Sequence, residues 1–163
     1  MKLVRFINNA EFEDYLKIAY LSHRDEDNAI VPDYFRDEMF KAFNYTKEAS
    51  DDFKFDRRNL VLYALRDNSD KICGVATFVK DDHLSGSIQI SHLAVSKNYR
   101  KKGYGKTILD LSVDVVKKHS EEDIYQIILS TIDTKSFYEK IGMDFIGELQ
   151  DNERPRYFFR KKI

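Results

Sequence analysis

From Ile90 to Leu109 the chain passes from an apolar segment through a short basic loop with two glycines into residues at helical spacing. A strand, a glycine loop and a helix in that order build an anion site. Gly103 and Gly105 let the backbone pass close to a ligand, and the first amides of the helix that follows lack intrahelical partners. Arg100, Lys101, Lys102 and Lys106 add cations to the positive end of the helix dipole. A pyrophosphate-bearing cofactor is the guest such a loop suits.

Two familiar phosphate loops fail against these residues. Gly105-Lys106-Thr107 supplies the end of a nucleoside triphosphate loop, but the first glycine of that loop would have to stand at Arg100. The dinucleotide fingerprint begins correctly at Gly103 and Gly105 and then needs glycine where Ile108 stands. A triphosphatase and a dinucleotide-binding fold are therefore both disfavoured.

The loop does match Arg-x-x-Gly-x-Gly after a Leu-Ala-Val strand, and so resembles motif A of the GNAT family, the GCN5-related N-acetyltransferases. By that resemblance Leu93, Ala94 and Val95 meet the pantetheine arm of acetyl-CoA. Arg100, Lys101, Lys102, Gly103, Tyr104, Gly105, Lys106 and Thr107 cradle its phosphates. Downstream, Phe137-Tyr138 followed by Gly142-Met143 resembles the family's Phe-Tyr-x-x-x-Gly-Phe signature. The resemblance makes Tyr138 the general acid that protonates the leaving thiolate and adds Phe137 to the cofactor contacts. Thr131 and Thr134 stand where the family carries Asn and Ala, and their hydroxyls are the expected substitutes toward pantetheine.

The resemblance also implies a fold, an α+β domain over residues 1–163. It has a central, mostly antiparallel twisted sheet of about seven strands flanked by about four helices, with the fourth and fifth strands splayed into a cofactor cleft. The residues agree with that order. Lys2 to Ile7 reads as a strand, Asn8 with Glu11 as a capping arrangement, and Phe12, Tyr15, Leu16 and Ala19 as a helical face. Pro32 opens a second helix over Tyr34 to Phe43, and residues 44–58 read as a surface loop or short helix. Leu60 to Leu65, Ile72 to Val79 and Ser87 to Val95 read as an antiparallel meander. Ile108 to Val116 keeps helical spacing, and Ile124 to Leu129 is apolar enough for a strand buried on both faces. A helix over Thr134 to Ile141 and strands near Phe145 to Leu149 and Tyr157 to Arg160 complete the chain.

The attacking amine must lose a proton, and the base is harder to read. Strand alternation puts Gln89, Ser91 and Leu93 on one face and Ile90, His92 and Ala94 on the other. His92 titrates near neutral pH when unperturbed, yet lies on the wrong face unless the strand bulges there. Ser91 is the catalytic choice on this strand, holding water for proton removal, with Ser130 or a carboxylate between residues 25 and 38 as further candidates. Asp25, Glu26, Asp27, Asp33, Asp37 and Glu38 would give the acceptor pocket a negative rim, and Tyr34 and Phe35 an aromatic wall. His23, His83 and His119 have no metal-site spacing, and Cys73 reads as a small core hydrophobe.

At 163 residues and 42% hydrophobic, the chain suffices for one sizeable core and is too short for two ordinary domains. A net charge of −1 gives no reason to expect nucleic acid. A single cysteine, no secretory leader and no apolar run of roughly 18 residues point to a cytoplasmic protein that does not enter the membrane. The expectation is an acetyl-CoA-dependent N-acetyltransferase acting by direct attack of a primary amine. A small molecule is favoured as acceptor over a peptide, no metal takes part, and the assembly suggested by the family is a homodimer. The alternative is an acyl-CoA-binding module without turnover.

Overall fold

The computed structural model describes residues 1–26, 28–132, 134–152 and 154–163. Among the described residues, eleven helices and strands follow in chain order: β1 (Lys2–Arg5), α1 (Phe12–Tyr20), α2 (Asp33–Glu48), β2 (Val61–Arg66), β3 (Ile72–Lys80), β4 (Ser87–Val95), α3 (Tyr104–His119), β5 (Gln126–Thr131), α4 (Lys135–Lys140), β6 (Asp144–Asp151) and β7 (Arg154–Lys162). The strands form one 7-stranded sheet in the order β1-β2-β3-β4-β5-β7-β6. Every pairing is antiparallel except that of β4 with β5. The mixed α+β architecture expected above is present.

Both faces of the sheet are covered, and β2 shows why. Leu62 and Ala64 pack toward one core with Tyr15, Leu16, Phe35, Met39 and Phe43 of α1 and α2. Tyr63 and Leu65 point the other way, to a core with Ile108, Leu109 and Val116 of α3. In α2, Phe35, Met39, Ala42, Phe43 and Thr46 recur every three or four residues and make one buried stripe. Burial of each such large apolar side chain stabilises the fold by roughly 1.5–3 kcal/mol.

Three local expectations need correction. Residues 44–48 continue α2 rather than forming a loop. Thr46, polar in the sequence, is fully buried, donates to the Ala42 carbonyl at 2.8 Å and accepts the Leu62 amide at 3.0 Å, so its hydroxyl ties the helix to β2. Asn8 accepts from the Ala10 amide at 2.9 Å and caps a 3₁₀ turn (Asn9–Glu11), while the Glu11 carboxylate pairs with Arg66 at 2.8 Å. Strand β4 also breaks the simple alternation. His92 pairs with Thr77 and Ile90 with Phe78, so Ser91 is an extra residue in a β-bulge. Ile90 accordingly faces the α3 core and Ala94 the α1/α2 core, although they are an even number of residues apart.

The sheet opens where β4 meets β5. Only Ser87, Ile88 and Gln89 pair with Gln126, Ile127 and Ile128, although β4 runs on to Val95 and β5 to Thr131. On its other edge β5 stays paired with β7 along its whole length, from Gln126 with Lys162 to Thr131 with Tyr157. The gap therefore lies on the β4 side alone.

Candidate active site

A cleft of about 790 Å³ fills this gap. Gln89 to Val95 of β4, the loop Tyr99–Lys101, the start of α3, Leu129–Ile132, α4, the segment after α1 and two arginines of β7 line it.

The glycine loop turns by two left-handed residues, Lys101 at φ 63° and Gly103 at φ 81°. Lys101 carries a side chain in that conformation, which costs about 1 kcal/mol and turns the loop sharply. Gly103 caps α3, and the first amide to find an intrahelical acceptor is that of Thr107, 3.1 Å from the Gly103 carbonyl. The preceding amides, of Tyr104, Gly105 and Lys106, are the helix's unpaired donors. A Cβ on Gly105 would come within 2.4 Å of the Phe137 ring, so glycine here lets α4 close against the start of α3.

The cations divide into two groups. Arg100 donates one hydrogen bond to Asp25 at 2.9 Å, its other amino group lies 2.8 Å from the second carboxylate oxygen, and its Nε reaches the Val95 carbonyl at 3.3 Å. That guanidinium holds the Asp25 carboxyl below the usual carboxylate range. Arg100, Lys101, Gly103, Tyr104 and Gly105 line the cleft. Lys102, Lys106 and Thr107 lie outside its lining: the Lys102 ammonium sits 5.8 Å from the centre of the Tyr99 ring, Lys106 pairs with Asp110 at 2.8 Å, and the Thr107 hydroxyl donates to the Gly103 carbonyl at 3.2 Å.

Tyr138 is 8% exposed and lies across the cleft from β4, against Phe137 and Phe159. Burial pushes its hydroxyl up to about 12, with a hydrogen bond to Thr134 pulling the other way, so it stays protonated and able to donate throughout neutral pH. Thr131 and Thr134 line the same wall, their hydroxyls 2.6 Å apart. Ser91 reaches the cleft from the bulge, with Leu93, Ala94 and Val95 beyond it.

At the other end of the cleft stands a group the sequence pattern did not single out. The bulge turns His92 toward α1 and α2, where its Nε2 lies 3.1 Å from His23 Nε2 and its Nδ1 2.8 Å from the buried Thr77 hydroxyl. Phe35 packs edge-on against both rings, at 5.3 and 5.4 Å. Burial pushes His92 down to about 3, with His23 adding to the effect. His23 is lowered by burial too, while Glu38 pulls it up and Arg156 pushes it down. Of the expected acidic rim only Asp25 and Glu38 line the cleft. Glu26 pairs with Arg24 at 3.0 Å, Asp33 and Asp37 lie elsewhere on α2, and Asp27 is outside the described residues. Arg154 and Arg156 of β7 line the cleft as well, with Arg156 donating to Ser130 at 3.1 Å. Only the fold could reveal this group, since His23 and His92 are 69 residues apart.

A splayed parallel pair of strands beside an amide-rich glycine loop defines a class of acyl-CoA-dependent transferases, and sequence comparison agrees. The profile of the acetyltransferase (GNAT) family matches residues 18–143, and the chain belongs to that family. No curated protein matches it significantly in sequence. Among solved structures it is similar to a Bacillus subtilis acetyltransferase in complex with CoA (15% identity, TM-score 0.63, covering 99% of each chain). It is similar too to a chimeric spermidine N-acetyltransferase from Vibrio cholerae (11% identity, TM-score 0.69, covering 99% of this chain and 96% of that one). A third is the ribosomal-protein-alanine N-acetyltransferase of Brucella melitensis (14% identity, TM-score 0.67, covering all of both chains). At such identities the likeness is one of fold.

Acetyl-CoA is the co-substrate of this family, and the residues present fit it. An open strand edge, a loop with unpaired amides and cations, and the space left by Gly105 all lie along one cleft.

Proposed function

We propose that the chain is an acetyl-CoA-dependent N-acetyltransferase of residues 1–163 that acetylates a primary amine, with a small molecule favoured over a peptide. The observation that carries this is the separation of β4 from β5 after three paired residues, directly beside the glycine loop. Acetyl-CoA supplies the acetyl group as a thioester. Leu93, Ala94 and Val95 line one wall for the pantetheine arm, with Thr131, Thr134 and Phe137 opposite. The loop from Arg100 to Thr107 takes the phosphates, with its amides and with Arg100, Lys101, Lys102 and Lys106 as the surrounding field.

In this reading the strand amides near Leu93 to Val95 polarise the thioester carbonyl. The Tyr138 hydroxyl, kept protonated by burial, gives its proton to the departing sulfur. Ser91, at the bulge, holds a water beside the amine. Away from the glycine loop, Glu38 of α2 and Arg154 and Arg156 of β7 line the cleft together, which favours a compact polar acceptor over a long cationic one. The absence, among the described residues, of any helix long and apolar enough to cross a membrane accords with work on the cytoplasmic acetyl-CoA pool.

The test follows free thiol release from acetyl-CoA with polyamines, aminoglycosides, amino acids and short peptides, alongside thermal shifts with CoA and ATP. Amine-dependent release together with stabilisation by CoA and not ATP is expected. CoA stabilisation without release from any amine would favour a binding module, and no stabilisation by CoA would overturn the reading.

A further inference from the structure

Thr77, His92 and His23 form a hydrogen-bonded line from the buried sheet to the cleft. Thr77 is fully buried and His92 is 5% exposed, whereas His23 is open to the cleft. The Nδ1 of His23 has no hydrogen-bond partner among the described residues.

Cationic imidazole donates from both nitrogens, so a proton on His23 permits one arrangement only. His23 Nε2–H then donates to His92 Nε2, and His92 Nδ1–H donates to the Thr77 oxygen. In the neutral pair the same arrangement leaves the Nδ1 lone pair of His23, a residue that lines the cleft, without a partner among the described residues. His92 is too buried to hold the charge itself, so the pair carries at most one positive charge near neutral pH, on His23.

The surrounding charges suit that role. Glu38 faces His23 from α2 and favours its cation, Arg156 from β7 opposes it, and His92 faces it from β4. In its own segment Asp25 is held by Arg100, while the Tyr20 ring at the end of α1 lies tilted against His23, 6.1 Å between centres, without a charge.

Resting on the acetyltransferase reading, we propose that His23 is the general base, taking a proton from the acceptor ammonium at Nδ1 while His92 and Thr77 act as positioning residues. The ammonium N–H bond breaks and its proton passes to His23, which returns it to solvent. The freed nitrogen then attacks the thioester carbonyl, the N–C bond forms and the C–S bond breaks. The second proton lost by nitrogen replaces the one Tyr138 gives to sulfur. Ser91 and His23 line the same cleft, so that a water held by Ser91 can pass the first proton on toward Nδ1 and the two assignments are compatible.

The test measures kcat/KM against pH for wild type, His23→Gln and Thr77→Val, using the best primary amine of the panel and hydroxylamine, which is already neutral at the assay pH. With the primary amine, His23→Gln should lose about 100-fold and its acid limb should move upward. With hydroxylamine the loss should be severalfold at most, and the thermal shift with CoA should stay as in wild type. Thr77→Val should lose severalfold and move the limb downward, because the arrangement that a proton on His23 requires loses its acceptor. Equal losses with both acceptors, or an unmoved limb, would overturn the proposal and leave the acetyltransferase reading standing. Wild type that releases no thiol with either acceptor would overturn both.

Discussion

The Phe137 ring occupies the space a side chain on Gly105 would need: a Cβ there would lie 2.4 Å from the ring's far carbon. The start of α3 and the short α4 thus fit each other only because residue 105 has no side chain. Replacing Gly105 by Ala would push the ring into the cleft, and the loop's amides with it.

Gly105→Ala should therefore weaken CoA binding about tenfold or more. Stability should change by no more than about 1 kcal/mol, because alanine's better helix propensity offsets the displaced ring. Calorimetric titration with CoA beside thermal melting separates the two effects, and a melting loss with unchanged CoA affinity would sink the explanation.

Tyr138→Phe removes a proton donor and little packing. Its kcat should fall roughly 100- to 10,000-fold, the range of a lost general acid, with CoA affinity nearly unchanged. Since burial holds the hydroxyl up to about 12, the wild-type pH–rate profile should show no falling limb from this group below about pH 10. A limb near pH 8 that vanishes in the variant would contradict the assignment.

Acid should destabilise the folded protein before its carboxylates titrate. His92 is neutral in the fold down to about 3 but has an ordinary value when unfolded, so the unfolded chain binds more protons between those limits. Stability should be complete above about pH 6.5 and fall by a few kcal/mol toward pH 4. His23 and His119, both lowered by burial, contribute in the same direction. His92→Gln should flatten the curve of melting temperature against pH in that window, and a curve as steep as wild type would refute the account.

Asp25→Asn tests the bridge to Arg100. Both side chains are partly exposed, so stability should change by less than about 1 kcal/mol. With the carboxylate neutralised, the glycine loop becomes a more positive anion site, and CoA should bind severalfold tighter at low salt, with the gain fading as salt rises. Weaker binding would mean that the bridge shapes the loop rather than opposing the ligand's charge.

The glycine loop, the meander and the helix after it were readable because each rests on local chemistry: positive-φ positions, alternating apolar residues, a 3.6-residue stripe. The end of α2 was not, because Thr46 reads as polar and only β2 supplies the Leu62 amide that its hydroxyl accepts. The orientation of His92 depended on one inserted residue. A bulge at Ser91 reverses every side chain beyond it, and nothing between Ile90 and Leu93 in the sequence announces it. The partner, His23, comes from the far end of α1, where the chain reads as irregular and charged. The acidic rim was overread for the opposite reason: composition counts carboxylates, but helix geometry decides that Glu38 turns inward while Asp33 and Asp37 do not.

The three residue pairs that join β4 to β5 have a mechanical meaning as well as a chemical one. Among the described residues they are the only strand pairs tying the four-strand half of the sheet, β1 to β4, to the three-strand half, β5 to β7. A ligand lying between the open ends would touch both halves and act as a strut across the weakest seam of the sheet. Amide hydrogen exchange at Leu93–Val95 and Ser130–Thr131 should then slow on adding CoA more than anywhere in the rest of the sheet, stiffening the two halves into one body.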